Sequence, residues 1–400
     1  MLAAVAVAAA AGAWFAARSY QQDFAAYLTA GLARTWNLDP YLNYAGQSGD
    51  LALPWDGVAV FRHSRFLYPP LVADLFRPLL AVPFLAAKSL FTAAMLAAWI
   101  GAGVALADDR RGRTIFFAAT ALFFPFYRHL ERGQIDLLIL LLLAIAWRTR
   151  GRPWIAGAAL AATVAFKPAF VGLWPVVWAS GRARTALAAL AVGAGIVGLT
   201  AAVDGPGRLR EYVAEVLSRA ALYGEGGTEE MLLPAARLPA AADDGTMHVG
   251  GRSYRTSIGE APAAASVPRL LAPESPTPAS ARLPFVVGIG VLTLLAQRLR
   301  RVGDADVEAL LFWAAALTCV ITSPAGWVMG LVLALPLAPL GAALQIEGRL
   351  GRGPAAAGVI AWTALAVPQP FAGWAAVAGV TLVAAASAAA ATLRREAVST

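Results

Sequence analysis

The chain has 400 residues, 59% of them hydrophobic and only 14% charged, and its mean hydropathy is +0.64. A soluble globular protein is about 45–50% apolar and about 25% charged, so this composition excludes an ordinary soluble domain. The formal net charge is +8, nearly all the cations are Arg, and many of them lie in short connectors between apolar runs, which is typical of membrane topology rather than nucleic-acid binding. The single cysteine, Cys319, excludes an internal disulfide and a Cys-based metal site.

Long apolar runs follow one another along the whole sequence. Only helices and closed barrels satisfy their backbone polar groups in lipid, and the short alternating segments of a barrel are not found. The sequence therefore predicts an all-α, polytopic transmembrane bundle, with residues 1–400 as one integral membrane domain. The first run has no basic region before it, so we interpret it as a retained helix rather than a signal peptide. We place about twelve segments, at 2–17, 84–107, 114–127, 135–147, 154–167, 169–179, 185–203, 283–299, 307–322, 325–345, 355–367 and 371–392.

Basic connectors predict the orientation of the bundle. Six connectors rich in Arg each follow an even-numbered segment, at 108–113, 148–152, 182–184, 298–301, 349–352 and 394–395. The positive-inside rule places these connectors and both termini in the cytoplasm. The other connectors then face outward, and two of them are long, at 18–83 and 204–282. The sequence thus predicts a multi-pass plasma-membrane protein whose active site is extracytoplasmic.

The first long connector, 18–83, is distinguished by its polar and aromatic residues. Asp23 follows directly on the first apolar segment. Apolar residues at helical intervals in 21–35 predict an amphipathic helix lying on the membrane surface. Tyr68-Pro69-Pro70 ends any preceding helix and starts a short re-entrant stretch. In the second long connector, 207–223 is a candidate surface helix, and the composition of 259–282 is typical of a flexible strap.

Several short motifs occur in a fixed order in the first half of the chain. They are Asp23-Phe24-x-x-Tyr27, Asn37-Leu38-Asp39-Pro40-Tyr41, Phe66-Leu67-Tyr68-Pro69-Pro70, Gly133-Gln134-Ile135-Asp136 and Phe166-Lys167-Pro168, with a weaker Ser323-Pro324-x-x-Trp327 further on. In this order they resemble the membrane glycosyltransferases of family 87. That family belongs to the GT-C class and uses a polyprenyl-phosphate sugar donor. The resemblance extends from about residue 20 to about residue 170, and weakly to about residue 330.

The resemblance implies that Asp23 is the general base. A transferase of this class removes a proton from an acceptor hydroxyl while that hydroxyl attacks the anomeric carbon, and a carboxylate within hydrogen-bond reach can accept the proton. The alternative is that Asp23 caps a surface helix beginning at Phe24. Asp39 is a second candidate, although an Asp before Pro-Tyr is typical of a turn.

Cationic side chains near the outer face are predicted to bind the departing phosphate. Lys167 lies inside an apolar run, where a lysine is unfavourable and by default functional. Its alternative is snorkelling to the interface. Arg128, or Arg132 on the same short stretch, is a further candidate for the phosphate. The alternative for that stretch is a solvated loop in which Arg128 pairs with Glu131.

Polar and aromatic residues of the motifs complete the predicted substrate-binding set. Gln134 is expected to hydrogen-bond a sugar or a phosphate. Asp136 lies near the start of a helix, where the helix dipole explains a carboxylate without any further role. The aromatic residues of the motifs are predicted to contact substrate; they are Tyr27, Tyr41, Tyr68 and Trp327.

No cofactor and no metal are expected. The sequence has three histidines, and its first long connector has no Asp-x-Asp-type pair; Asp243-Asp244 lies in the second. No Gly-rich phosphate loop of the Walker type occurs, which argues against ATP as a driving force. One departure from the family follows Trp327, where relatives often carry His and this chain has Val328-Met329. Stabilisation of the phosphate must then come from other residues.

The predicted function is transfer of a hexose, with mannose the first choice, from a polyprenyl-phosphate donor to a hydroxyl of a glycolipid or envelope glycan. Direct displacement inverts the anomeric centre. The partners are the lipid-linked sugar, the acceptor and membrane lipids, and no nucleic acid. Two alternatives stay open: a transporter or lipid flippase, and a non-catalytic relative of the enzyme. Transporters usually have related halves, whereas the motifs here lie in the first half.

Overall fold

The computed structural model describes residues 1–41, 66–107, 109–217, 246–249, 251–255, 265–271, 278–324, 326–368 and 373–399. Within these residues the protein is helical, apart from one two-stranded hairpin and the connections. The prediction of an all-helical protein is therefore confirmed. His63, Asp243 and half of the predicted strap at 259–282 lie outside the described residues.

The first half of the chain contains helices of very different lengths. They are α1 Leu2–Arg18, α2 Gln22–Thr35, α3 Pro70–Asp74, α4 Phe84–Leu106, α5 Arg110–Ala121, α6 Phe124–Arg132, α7 Asp136–Arg148, α8 Pro153–Phe166, α9 Leu173–Ala179, α10 Ala183–Asp204 and α11 Pro206–Glu211. Short 3-10 helices lie at Arg77–Ala81 and Pro168–Gly172, and a π-helical turn spans Tyr212–Leu217. Residues 207–217 of the predicted surface helix at 207–223 form α11 and this turn, and 218–223 lie outside the described residues.

The second half begins with an antiparallel hairpin of β1 Thr246–Val249 and β2 Arg252–Arg255, in which Met247 faces Tyr254. The helices that follow are α12 Val267–Leu271, α13 Pro278–Leu299, α14 Ala305–Ile321, α15 Leu337–Ile346, α16 Arg352–Ala366 and α17 Trp374–Ser399. Two 3-10 helices lie between them, at Arg300–Val302 and Val328–Ala334.

Local chemistry sets several helix ends. The Asp109 carboxylate caps α5 by accepting a hydrogen bond from the Gly112 amide at 2.7 Å, and Asp304 caps α14 in the same way. Gly133 ends α6 with a positive φ of 70°, a conformation that glycine adopts without strain. Pro168 has no amide hydrogen to continue α8, and that helix ends at Phe166 with Lys167 as its C-cap.

The core is built from helices of both halves that pack against one another. In the first half, α4 packs against α7, α7 against α8 and α8 against α10. In the second half, α14 packs against α17 and is buried throughout from Ala309 to Ile321. The 3-10 helix Val328–Ala334 is fully buried beside it, so Val328 and Met329 are core residues.

Helix α2 lies where the sequence predicts a helix, but its environment differs from the predicted one. We expected this stretch to lie on the membrane surface, but the structure buries every residue from Gln22 to Ala33. Phe24 packs on Phe91 with ring centroids 4.8 Å apart, and burying one such ring stabilises the fold by roughly 1.5–3 kcal/mol. Gly31 lets the backbone of 73–77 approach closely, since a Cβ there would lie 3.2 Å from the Ala73 carbonyl oxygen. The helix is therefore covered by protein, and its polar side chains find protein partners.

Within the described residues, five helical stretches are long and apolar enough to cross a membrane. They are Phe84–Leu106, Ala183–Asp204, Ser280–Val302, Val328–Ile346 and Trp374–Leu393. Shorter apolar helices include Leu2–Arg18, Pro153–Phe166 and Pro168–Ala179. The membrane character of the chain is clear from these helices. The count of twelve segments and the layout of the loops stay predictions.

The basic connectors meet at one end of the bundle. The Arg182 guanidinium donates to the Arg150 carbonyl oxygen at 3.1 Å and forms an ion pair with Glu308. Arg349 pairs in the same region with Asp304, at 2.5 Å. Four connectors assigned to one side of the membrane are thus neighbours in space. Helix α8 runs from this end to Lys167 over 14 residues, about 21 Å at a rise of ~1.5 Å per residue, so Lys167 lies at the opposite end.

Candidate active site

The Asp23 carboxylate lies in the first turn of α2, and the residue is only 3% exposed. The preceding Gln21 adopts a left-handed conformation with φ of 55°, which is strained for a residue with a side chain. The side-chain Nε2 of Gln21 donates to the Thr92 hydroxyl at 3.1 Å and to the Leu130 carbonyl oxygen at 2.9 Å. These bonds hold the turn from which α2 starts, and they thereby fix where Asp23 lies.

Two side chains at the junction of α6 and α7, one on the last residue of α6, bind Asp23. Its Oδ2 accepts a hydrogen bond from Gln134 Nε2 at 2.8 Å and another from Arg132 Nε at 3.2 Å. Gly133 separates the two donors, and a Cβ at that position would lie 2.8 Å from the Phe24 Cβ. The close approach of this connection to α2 therefore depends on a glycine. Among the described residues, both hydrogen bonds to Asp23 end on Oδ2, so Oδ1 has no partner there.

A tyrosine network continues from Gln134. Because a carboxylate only accepts hydrogen bonds, the Gln134 amide nitrogen faces Asp23 and its Oε1 points away. Tyr27 donates to this Oε1 at 3.0 Å, and the Tyr27 and Tyr68 hydroxyls are 2.9 Å apart. Tyr41 donates to the Tyr68 carbonyl at 2.9 Å. The structure thus brings together five of the predicted site residues.

Tyr68 links this network to the region of Lys167. Burial raises the pKa of Tyr68 to about 12, and the positive charge of Lys167 offsets part of that rise. Tyr68 is therefore a neutral hydrogen-bond donor at physiological pH. The Lys167 ammonium forms an ion pair of 2.6 Å with Asp136 Oδ1. The Lys167 side chain is 28% exposed, whereas that of Asp136 is 1% exposed.

Two other predicted residues have partners away from the tyrosine network. Arg128 forms the anticipated ion pair with Glu131 at 2.6 Å, but it is buried in helix α6 and does not lie in a solvated loop. Trp327 lies under the Arg269 guanidinium, whose carbon is 4.3 Å from the ring centroid. No described contact joins either residue to Asp23. Their proposed contacts with substrate remain predictions.

Several residues that contribute to this site are only weakly marked in the sequence. Arg132 was named only as an alternative to Arg128, and it is the arginine beside Asp23. Asp136 was explained by the helix dipole, yet it is the partner of Lys167, 31 positions away. No local pattern marks a pair so distant in sequence, so only the packing of α7 against α8 reveals it.

His129 is the third of these residues, and it is 1% exposed. Its Nε2 accepts a hydrogen bond from the Leu137 amide at 3.2 Å, so Nδ1 carries the proton of the neutral ring. This bond closes the first turn of α7 and holds the connection that carries Gln134. Burial lowers the pKa of His129 to about 4, with smaller effects from Asp136, Lys167 and Asp23.

The site has the chemistry of a polar cluster rather than of a metal centre. Within the described residues, no group of three or more His, Cys, Asp or Glu side chains is placed to hold a metal ion. Independence from metal stays a prediction. Asp23 with Arg132 and Asp136 with Lys167 form two ion pairs, so the cluster is electrically balanced and each carboxylate is oriented. Such a site can accept a proton at one carboxylate and offer ammonium hydrogens to an anion.

Fold and site together define a polytopic helical membrane protein with a buried carboxylate site at one end of its bundle. The family model for glycosyltransferase family 87 matches residues 66–320, which is more than half of the chain. The chain belongs to this family, and it is accordingly a membrane glycosyltransferase. The match contains Tyr68, Gln134 and Lys167, whereas Asp23 lies before it. No curated protein and no solved structure matches the chain.

Proposed function

We propose that the protein transfers a hexose, most simply mannose, from a polyprenyl-phosphate donor to a hydroxyl of a glycolipid or envelope glycan. The reaction takes place on the outer face of the plasma membrane, and both termini are cytoplasmic. The observation that carries the proposal is the geometry of Asp23. A buried carboxylate is held by Gln134 on a hydrogen-bond network that extends through Tyr27 and Tyr68 towards a partly exposed lysine.

In the proposed reaction the acceptor hydroxyl gives its proton to Asp23 as its oxygen attacks the anomeric carbon. A new carbon–oxygen bond forms on one face of the sugar, and the bond to the phosphate oxygen breaks on the other. The bonding electrons leave with the phosphate. One displacement inverts the anomeric centre, so a single carboxylate suffices. General-base assistance of this kind contributes about 10²–10⁴-fold to the rate.

Lys167 is suited to the leaving group in this scheme. The donor is a phosphodiester with one negative charge, whereas the departing polyprenyl phosphate gains a second as the bond breaks. A cation beside the phosphate therefore stabilises the transition state more than the ground state, and only such a difference accelerates the reaction. The ammonium has three hydrogens, and Asp136 takes one of them. Lys167 can therefore bind phosphate while Asp136 holds it in position.

Asp23→Asn tests the proposal, because Asn keeps the shape of the side chain and cannot accept the proton. The full-length protein is reconstituted in liposomes with polyprenyl-phosphate mannose and an extract of envelope glycolipids. We expect transfer of labelled hexose to fall by at least ~10²-fold, as for loss of a general base. Unchanged transfer by this variant would refute the role of Asp23.

Asp39→Asn is the matched control. Asp39 Oδ1 accepts a hydrogen bond from the Tyr41 amide at 2.9 Å, which is turn chemistry that Asn reproduces. We expect its transfer rate to stay close to that of the wild type. If the wild type itself transfers no hexose from this donor, the donor assignment is wrong. Nucleoside-diphosphate sugars and other polyprenyl-phosphate sugars, tested in parallel, then identify the donor.

A further inference from the structure

The chain contains only two lysines, Lys88 and Lys167, and carries Arg at every other cationic position. Lys88 lies in the second turn of α4, and its residue exposure is 0%. Its ammonium forms no ion pair with any carboxylate that the structure describes. It donates to the Ser19 carbonyl oxygen at 2.6 Å instead. A buried ammonium bound to a backbone carbonyl needs further compensation, and this comes from aromatic rings. The Phe84 ring centroid lies 5.1 Å from the Lys88 Nζ, and a second ring lies nearer.

That ring belongs to Tyr254, on strand β2 of the hairpin in the second long connector. The Lys88 Nζ lies 3.7 Å from the centroid of the Tyr254 ring, a short cation–π distance. Tyr254 is 2% exposed and packs edge-on against Phe84. The Lys88 ammonium is thus inserted between the hairpin on one side and the chain at Ser19 on the other.

Backbone pairing joins the same two segments. The Tyr20 amide donates to the Arg255 carbonyl oxygen at 2.8 Å, and Ser19 forms a parallel bridge with Arg255. The residues that follow α1 are therefore paired with Arg255 of β2 through one isolated bridge. They lead directly into Gln21, the strained residue that precedes α2. The hairpin and Lys88 accordingly constrain the chain four residues before Asp23.

We infer that Lys88 is a positioning residue that couples the second long connector to the general base. Its ammonium joins the Tyr254 ring to the Ser19 carbonyl and so holds the turn from which Asp23 projects. Displacement of a catalytic group by about 1 Å lowers a rate by roughly 10²-fold, so this link governs turnover without contacting substrate. The effect on turnover rests on the proposed role of Asp23, whereas the physical link between hairpin and turn does not.

The link is tested first without reference to activity. Lys88→Met keeps an unbranched side chain and removes the ammonium, and Tyr254→Ala removes the ring. Hydrogen exchange of the peptide containing the Tyr20 amide is measured on the full-length protein in nanodiscs. In each variant we expect the exchange rate of the Tyr20 amide to rise by about tenfold or more, because its hydrogen bond to the Arg255 carbonyl oxygen opens more often. Ser89→Ala, on the exposed face of the same helix, is the control and retains protection.

Tyr254→Phe distinguishes the ring from the hydroxyl, since it keeps the face that the ammonium contacts. Its protection is expected to match the wild type. The double variant Lys88→Met with Tyr254→Ala is expected to lose less protection than the sum of the two single losses, because the cation–π contact is removed in both. Retained protection in Lys88→Met, or additive losses in the double variant, would overturn the link.

Transfer kinetics then test the positioning role. Lys88→Met is expected to lower kcat by about 10–100-fold with little change in KM for the donor, and Lys88→Arg to recover part of the loss. If Lys88→Met loses protection and keeps kcat while Asp23→Asn is inactive, the positioning role is wrong. If Asp23→Asn is fully active, the general-base proposal fails, and the exchange data alone decide the link.

Discussion

At the scale of single residues, the site is organised by pairs rather than by isolated charges. A lysine at the centre of a membrane helix costs about 2.5–3.5 kcal/mol on insertion scales. Lys167 lies at a helix end and contacts Asp136, so the two charges compensate each other. Asp23 has a different environment, with an amide and a guanidinium on one oxygen. Two carboxylates close in space can therefore serve different roles, one receiving a proton and one orienting a cation.

His129 makes the stability of the protein depend on pH. Its folded-state pKa is about 4, below the ~6.5 of an unfolded chain, so the unfolded state takes up a proton first as the pH falls. The contribution of His129 to the free energy of unfolding is fully present above about pH 6.5 and is lost progressively towards pH 4. Between pH 7.5 and 5.0 we expect the wild type to lose about 2 kcal/mol through His129.

His129→Gln supplies the comparison for this prediction, because Gln can accept the Leu137 hydrogen bond and does not titrate. Thermal unfolding midpoints in detergent are measured for both proteins at the two pH values. The wild type should show the larger fall on acidification. The other histidines contribute equally to both proteins and cancel in the difference. Equal falls in the two proteins would mean that His129 is protonated to the same extent in both states.

At the scale of elements, the connection between α6 and α7 is the part that assembles the site. It carries Arg132 and Gln134 to Asp23, and its approach to α2 leaves no room for a Cβ at Gly133. Helix α2 provides the other half, and its burial is what isolates Asp23 from bulk water. The hairpin of the second long connector pairs with the residues just before α2.

Gly133→Ala tests how closely these elements must fit. The substitution places a side chain in a left-handed conformation, which costs roughly 1–2 kcal/mol, and adds a clash with Phe24. Gly181→Ala is the matched control, since Gly181 also has a positive φ of 89° and a Cβ there meets nothing within 4 Å. We expect Gly133→Ala to lower the unfolding midpoint more than Gly181→Ala, and to lower transfer per folded molecule. Equal effects would show that the connection can move away from α2 without loss.

At the scale of the whole molecule, polar residues are separated between the two ends of the bundle. The proposed site gathers side chains from the connections after α1, α6 and α8, whereas Arg150, Arg182 and Glu308 meet at the far end. This separation agrees with the two sets of connectors that the positive-inside rule assigned to opposite sides. Which side is cytoplasmic is a separate question that labelling can answer.

Gly151→Cys and Gly207→Cys form a matched pair for that measurement. Both glycines are exposed, and a Cβ at either meets nothing within 4 Å, so the new thiols react without disturbing the fold. The native Cys319 is buried and gives little background. We expect a membrane-impermeant maleimide to label Gly207→Cys on intact cells, and Gly151→Cys only after permeabilisation. The reverse pattern would invert the topology and place Asp23 in the cytoplasm.

Much of the architecture could be predicted from local patterns. Apolar runs indicated the membrane helices, and Pro168 marked the end of α8 where the structure has it. The helix at 21–35 was located correctly, but its environment was not, because the same helical spacing fits a lipid surface and a protein pocket equally well. Lys88 was missed, although a lysine inside an apolar run is by default functional.

By itself the sequence determined the class of the protein, since composition and the order of short motifs are properties of the chain that need no contacts. Only the tertiary structure decided which polar groups meet. Asp23 and Gln134 are 111 positions apart, and Lys88 and Ser19 are 69 apart. A hydrogen bond forms only between atoms about 3 Å apart, and helix packing, which no periodicity in the sequence encodes, sets those distances.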